Sequence, residues 1–209
     1  MYRLVIFDFD GTLADSAPWF LGALDSLSVR HGFRRVSPEE IEMLRGRSTR
    51  EVMAAMGVSP WRLPFIAADL RRRMAEDVHQ IRLFPGAEEM LTALRAGGAR
   101  LAVVSSNSEA NVRSVLGAEL CGVIDAFGCG VGLLGKGRRF KQLLDRQGVA
   151  PGHALCVGDE VRDIEAARSI GADSGAVLWG YATPDALRAG GATHVFDRFD
   201  QIPPLVLGY

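Results

Sequence analysis

The sequence predicts an α/β fold: a Rossmann-like parallel sheet core flanked by helices, with an inserted all-helical segment. Three observations predict it. From residue 84 onward, short apolar runs alternate with helical periods, the pattern of successive strand–helix units. The first run, Leu4–Phe7, is continuously apolar, which suits a strand buried on both faces of a parallel sheet. Residues 16–80, between that run and the later ones, carry helix signals alone.

Taken in order, the first strand ends in Asp8, Asp10, Gly11 and Thr12. That is the carboxyl end of the strand, where open α/β sheets place their ligands. Two carboxylates so close repel, and they need a cation, a shared proton or solvent. Gly11 permits a tight turn, and Thr12 adds a hydroxyl donor. Residues 17–31 put Trp19, Phe20, Ala23, Leu24 and Leu27 on one side of a helix that Gly32 ends. Ser37-Pro38-Glu39-Glu40 reads as a capping box with proline at the first helical position. Ser48 and Glu51 repeat the device and open a helix that runs to Gly57. Ser59-Pro60 opens a longer helix reaching about His79.

Beyond Phe84-Pro85-Gly86 the spacing predicts a helix over 86–97, a strand over 100–104 and a helix over 109–117. Further strands are expected near 123–129, 154–158, 175–178 and 194–196, separated by helices near 138–147, 161–170 and 184–189. The expected domains are a Rossmann-like core over 1–15 and 81–209 and a helical cap over 16–80, with hinges near 14–18 and 80–85.

Composition narrows the function. At 209 residues and 48% hydrophobic content, the chain can bury one core plus a smaller insert. A net charge of -1 gives no pull toward nucleic acid or an anionic membrane. No apolar run approaches the ~20 residues needed to span a bilayer. The N-terminus enters a strand with no signal peptide. A soluble cytoplasmic protein is expected; oligomeric state is not legible. Cys121, Cys129 and Cys156 lack metal-type spacing and read as buried, reduced thiols.

Four short stretches carry a resemblance. Asp8-Phe9-Asp10-Gly11-Thr12-Leu13 resembles the opening DxDGTL motif of the haloacid dehalogenase-like superfamily of phosphohydrolases. Val103-Val104-Ser105-Ser106-Asn107 resembles its second motif, an apolar strand ending in serine. Gly135-Lys136-Gly137 resembles the lysine-bearing third motif. Lys136 and Lys141 are the only lysines in the chain, and Lys141 is the alternative, more in keeping with a solvated helix face. Leu155-Cys156-Val157-Gly158-Asp159-Glu160-Val161-Arg162-Asp163 resembles the fourth motif, GDxxxD. All four fall at or just beyond the carboxyl ends of predicted parallel strands. The resemblance covers the whole chain and fits phosphoglycolate phosphatase-like members, whose helical cap lies between the first and second motifs.

The resemblance implies a Mg²⁺-dependent phosphatase acting on a small phosphorylated metabolite. Asp8 would be the nucleophile, and Asp10 the general acid and then base. Mg²⁺, which prefers oxygen ligands, would be held by the Asp8 and Asp159 carboxylates and the Asp10 carbonyl, with Asp163 supporting. Lys136 and Ser105 would stabilise charge on the phosphoryl group, with Gly11, Thr12, Ser106 and Asn107 beside it. Arg45 and Arg47 would reach an anionic leaving group from the cap, while Arg71-Arg72-Arg73 reads as a solvated helix face. Dehalogenases lack an acid at the position of Asp10. Phosphonate-cleaving members need a cap lysine, and residues 16–80 contain none. Phosphosugar mutases usually carry a histidine where Phe20 stands and a Glu-Asp pair where Gly158-Asp159 stands. A mutase and a non-catalytic phosphate-binding module are the alternatives.

Overall fold

The computed structural model describes residues 1–132 and 135–209. Strand β1 (Leu4–Phe7) leads through a tight turn into β2 (Ala14–Asp15). Four helices follow: α1 (Ala17–His31), α2 (Pro38–Leu44), α3 (Thr49–Ala55) and α4 (Leu63–Glu76). Strand β3 (Arg82–Leu83) then returns antiparallel to β2, with Ala14 opposite Leu83 and Asp15 opposite Arg82. From there strands and helices alternate: α5 (Ala87–Ala96), β4 (Arg100–Val103), α6 (Glu109–Val123), β5 (Ala126–Phe127) and α7 (Lys136–Gln147). The series continues with β6 (Ala154–Gly158), α8 (Val161–Ser169), β7 (Asp173–Val177), α9 (Pro184–Ala189), β8 (His194–Phe196) and α10 (Ile202–Leu207).

Among the described residues the main sheet is parallel, in the order β5-β4-β1-β6-β7-β8. Its central strand is β1, fully buried, which accounts for its unbroken apolar run. Alternate side chains feed two cores, as the pleat requires. Val5 and Phe7 pack with Leu91 and Leu94 of α5, Val112 and Leu116 of α6, and Ile202 of α10. Leu4 and Ile6 pack on the other face with Phe140 and Leu143 of α7 and Ala167 of α8. After β1 the chain builds outward through β4 and β5, then crosses back to lay β6 against the opposite edge of β1. The topological switch point therefore lies between β1 and β6, where a ligand crevice is expected.

Local signals account for most element ends. At Ser37, Oγ accepts from the Glu40 N–H at 3.3 Å while the Glu40 carboxylate accepts from the Ser37 N–H at 2.9 Å. Ser48 and Glu51 form the same box at 3.3 and 2.9 Å. The helix expected from Ser59 begins as a 3-10 turn, Pro60–Arg62, before α4. Three features depart from expectation. The β2–β3 ribbon and α10 have no counterpart in the sequence reading. Helix α6 continues past a break at Gly117 (φ 74°, ψ 172°) to Val123, which leaves only two residues for β5.

Within the helical segment between β2 and β3, one carboxylate ties α1 to α4. Asp69 of α4 accepts from Arg30 of α1 at 2.9 Å and from Arg72 at 2.6 Å, and stands 3.1 Å from His31 Nε2. The cysteines are free: Cys156 is buried, while Cys121 and Cys129 are half-buried rather than fully so. No helix among the described residues is long and apolar enough to cross a membrane.

Candidate active site

The residues immediately beyond β1 and β6 meet at the switch point. The Asp8 N–H donates to the Val157 carbonyl at 2.8 Å, extending the β1–β6 ladder by one rung and fixing the Asp8 backbone. Its Oδ1 accepts from the Phe9 N–H at 2.8 Å, and its Oδ2 from Lys136 Nζ. Lys136 is the first residue of α7, only 4% exposed, and also donates to Asp163 Oδ1. Asp163, in the first turn of α8, takes the Glu160 N–H on its other oxygen at 3.1 Å. A buried ammonium thus bridges two buried carboxylates from different elements.

Asp159 is oriented from two sides. Thr12 Oγ1 donates to its Oδ1 at 2.9 Å, and the Tyr181 N–H to its Oδ2 at 2.8 Å. Gly11 lies so near that a Cβ there would stand 2.3 Å from Asp159 Oδ2, and its φ of +75° is left-handed. Only glycine satisfies both conditions. The Asp10 carboxylate turns to the second predicted strand end: Ser105 Oγ donates to it at 3.2 Å and Asn107 Nδ2 at 3.4 Å. Asn107 is steadied in turn by its own N–H, which donates to Ser105 Oγ at 2.9 Å.

Burial dominates the electrostatics. It pushes the Asp8 carboxyl up to about 7, against the opposing pull of Lys136. Asp159 is raised well above the carboxylate range by burial and then by Glu160, Asp8 and Asp163. Asp10 is raised by burial, which hydrogen bonds from Ser16, Ser105 and Asn107 partly offset. For Lys136 burial works downward, but Asp163 and Asp8 outweigh it and the ammonium is stabilised.

Oxygen atoms of Asp8, Asp159 and Asp163 lie within 4.8 Å of one another, all three side chains buried. With Asp10 beside them, these carboxylates outnumber the nearby cations, Lys136 and Arg162. Uncompensated buried negative charge and an all-oxygen donor set fit a hard divalent cation. The cluster takes in Asp163, whose two oxygens are already engaged by Lys136 and the Glu160 N–H.

The structure brings Asp8, Asp10, Gly11, Thr12, Ser105, Asn107, Lys136, Asp159 and Asp163 together at the carboxyl edge of the sheet. Lys141 is 68% exposed and pairs with Asp145, so Lys136 is the lysine at this site. Ser106 presents its carbonyl to Arg71 Nη1 at 3.0 Å. Arg71 is therefore not part of a solvated face: it ties α4 to the second strand end, while Arg72 and Arg73 turn to Asp69. The arginines expected to face a leaving group are placed otherwise. Arg47 is 63% exposed and pairs with Glu51 at 3.5 Å, one helical turn on. Arg45 is occupied by backbone carbonyls of residues 180 and 181 and by Glu42. Trp179, Gly180 and Tyr181 were missed by sequence reasoning. Their signal was an aromatic-glycine-aromatic run just past a predicted strand, at the same sheet edge as the motifs.

The haloacid dehalogenase-like hydrolase family model matches residues 5–177. The phosphoglycolate phosphatase of Synechococcus elongatus is 33% identical over 188 residues, covering 90% of this chain and 89% of the relative. That of Xanthomonas campestris is 31% identical over 193 residues, covering 88% and 86%. A solved structure from Lactobacillus plantarum, provisionally named a phosphoglycolate phosphatase, superposes with a TM-score of 0.83 at 24% identity, covering 99% of both chains. The chain is a phosphoglycolate phosphatase-like member of the haloacid dehalogenase-like hydrolase family.

Proposed function

We propose that this chain is a Mg²⁺-dependent phosphatase that hydrolyses a small phosphorylated metabolite, phosphoglycolate-like in kind, through an aspartyl-phosphate on Asp8. The observation that carries the reading is the buried Asp8–Lys136–Asp163 bridge beside Asp159 at the switch point of the sheet. The names of the relatives support the substrate class.

The Asp8 and Asp159 carboxylates and the Asp10 carbonyl would hold Mg²⁺, with Asp163 supporting through Lys136. When bound, the ion would supply Lewis-acid charge to a phosphoryl oxygen and offset the repulsion between carboxylates and phosphate. Asp8 attacks phosphorus as the bond to the leaving oxygen breaks, and Asp10 gives its proton to that oxygen. Burial raises the Asp10 carboxyl and so favours its protonated form. Asp10 then takes a proton from the water that attacks phosphorus, releasing inorganic phosphate and free Asp8. Lys136 and Ser105, with the N–H groups around them, stabilise charge on the transferring group. Residues 16–80 act as a cap over a core of 1–15 and 81–209, and cap closure excludes bulk water.

The test is release of p-nitrophenol from p-nitrophenyl phosphate, then of phosphate from phosphoglycolate, with Mg²⁺, with EDTA and in Asp8→Asn. Turnover lost with EDTA and in the variant is expected. Undiminished turnover in folded Asp8→Asn would remove Asp8 as nucleophile.

A further inference from the structure

The loop after β7, Trp179 to Ala182, closes over Asp159 from a strand end that none of the four motifs includes. Trp179 Nε1 donates to the Thr12 carbonyl at 3.0 Å, and the Ala182 N–H to the Asp159 carbonyl at 3.3 Å. The Tyr181 N–H reaches Asp159 Oδ2 at 2.8 Å. A Cβ on Gly180 would stand 2.1 Å from the Asp159 Cβ and 2.6 Å from the Gly11 carbonyl oxygen, so the loop backbone lies directly on the stem of the carboxylate.

The helical segment reaches this loop through Arg45, just past α2. Its Nε donates to the Tyr181 carbonyl at 2.7 Å and its Nη2 to the Gly180 carbonyl at 3.3 Å. Its Nη1 is tethered to Glu42 at 3.0 Å. The next residue, Gly46, sits against Thr183, where a Cβ would meet Oγ1 at 3.3 Å.

The Gly180–Tyr181 peptide is therefore held at both ends. Its carbonyl accepts from Arg45, and its N–H donates to Asp159. A planar peptide cannot turn one of these groups without turning the other. The guanidinium charge on the carbonyl also polarises the unit and strengthens the N–H as a donor. We propose that Arg45 is a positioning residue that fixes the orientation of Asp159 through this peptide, linking the seating of the helical segment to metal binding. The proposal rests on the metal-dependent reading above. Linkage is reciprocal, so metal loading also favours the seated segment.

Arg45→Met keeps much of the length and removes every donor; Arg45→Lys keeps the charge but not the fork. Substrate-free protein is titrated with Mg²⁺ by calorimetry, and exchange of the Tyr181 N–H is followed by NMR in metal-free protein. Arg45→Met is expected to weaken Mg²⁺ binding about 10-fold, as loss of a group behind a metal ligand does, and to speed Tyr181 exchange. Arg45→Lys falls between it and the wild type, and Arg47→Ala moves neither readout. Unchanged Mg²⁺ affinity and unchanged exchange in Arg45→Met overturn the proposal, and a raised KM alone assigns Arg45 to the substrate instead. Wild-type protein that takes up no Mg²⁺ refutes the metal-dependent reading; Tyr181 exchange then decides by itself whether Arg45 holds the peptide.

Discussion

Replacing Lys136 by Met removes the one cation that Asp8 and Asp163 share. All three side chains are at most 4% exposed, so neither carboxylate can turn to bulk water for compensation. Removing one partner of a buried ion pair destabilises by about 3–5 kcal/mol. For a chain of this size each kcal/mol lowers the melting temperature by roughly 2–4 °C, so a fall of roughly 6–20 °C is expected. The loss depends on pH in a definite direction. Without the ammonium the Asp8 pKa climbs further above about 7, and the folded variant binds protons more tightly than the unfolded chain. The wild type completes its loss near pH 7, whereas the variant, holding the proton to higher pH, goes on losing stability between pH 7 and 8. Thermal melts of metal-free protein, followed by circular dichroism, should therefore show a larger deficit at pH 8 than at pH 5. Lys141→Met, an exposed control, should stay within about 0.5 kcal/mol of wild type. Equal deficits at the two pH values, or equal deficits in the two variants, would refute the buried-bridge account.

Gly11→Ala combines a left-handed φ of +75° with a Cβ 2.3 Å from Asp159 Oδ2; it should destabilise by about 1–3 kcal/mol and weaken Mg²⁺ binding in calorimetry, and wild-type affinity would show that Asp159 does not need this close approach. Burial holds Asp8 near 7 in the fold against about 3.9 when unfolded, so its contribution to metal-free stability is complete below about pH 4 and lost as pH rises through 7. Melting temperature should accordingly fall over that interval, and fall less in Asp8→Asn; parallel pH slopes for the two proteins would contradict the burial-raised pKa. Hydrogen bonds led by Arg72 hold the Asp69 carboxyl well below its usual range, so its contribution is present above about pH 4 and disappears as pH drops through its lowered value. Asp69→Asn should cost about 1–2 kcal/mol at neutral pH, read by denaturant titration, and an unchanged midpoint would mean that the arginine cluster does not hold α1 to α4.

The legible parts of the chain were those whose physics is local. A continuous apolar run announced β1, and two serine–glutamate boxes announced α2 and α3, because each signal lies within a few residues of the element it starts. The four motif stretches were legible through their resemblance to the superfamily's motifs, and they converge because a sheet edge collects strand ends. Long-range pairing left no such mark. The β2–β3 ribbon has two residues on each strand, too few to show an alternation, and its strands lie on opposite sides of the whole helical segment. Helix α10 carries two prolines at its start and is stabilised by packing Ile202 and Val206 into the core. Arg45 was expected to face a leaving group and Arg71 to face solvent; the acceptors of both are main-chain carbonyls, which any sequence supplies and no motif marks.

That ribbon makes the route of the chain circular. Asp15 and Arg82 face each other across its rungs, about 5 Å apart as antiparallel partners are. The chain thus leaves the sheet and rejoins it at one spot. An excursion with its ends already clasped is indifferent to its own length, since doubling a loop adds only about 0.6 kcal/mol of closure entropy. Unrelated helical segments can be grafted between these two residues without redrawing the strand ends beneath them. A graft must rematch the ties of Arg45 and Arg71, the Asn111 Nδ2 bond to the Arg71 carbonyl and the packing of Met74 in the core. The segment that the clasp carries can change while the carboxylates at the switch point stay where the sheet puts them.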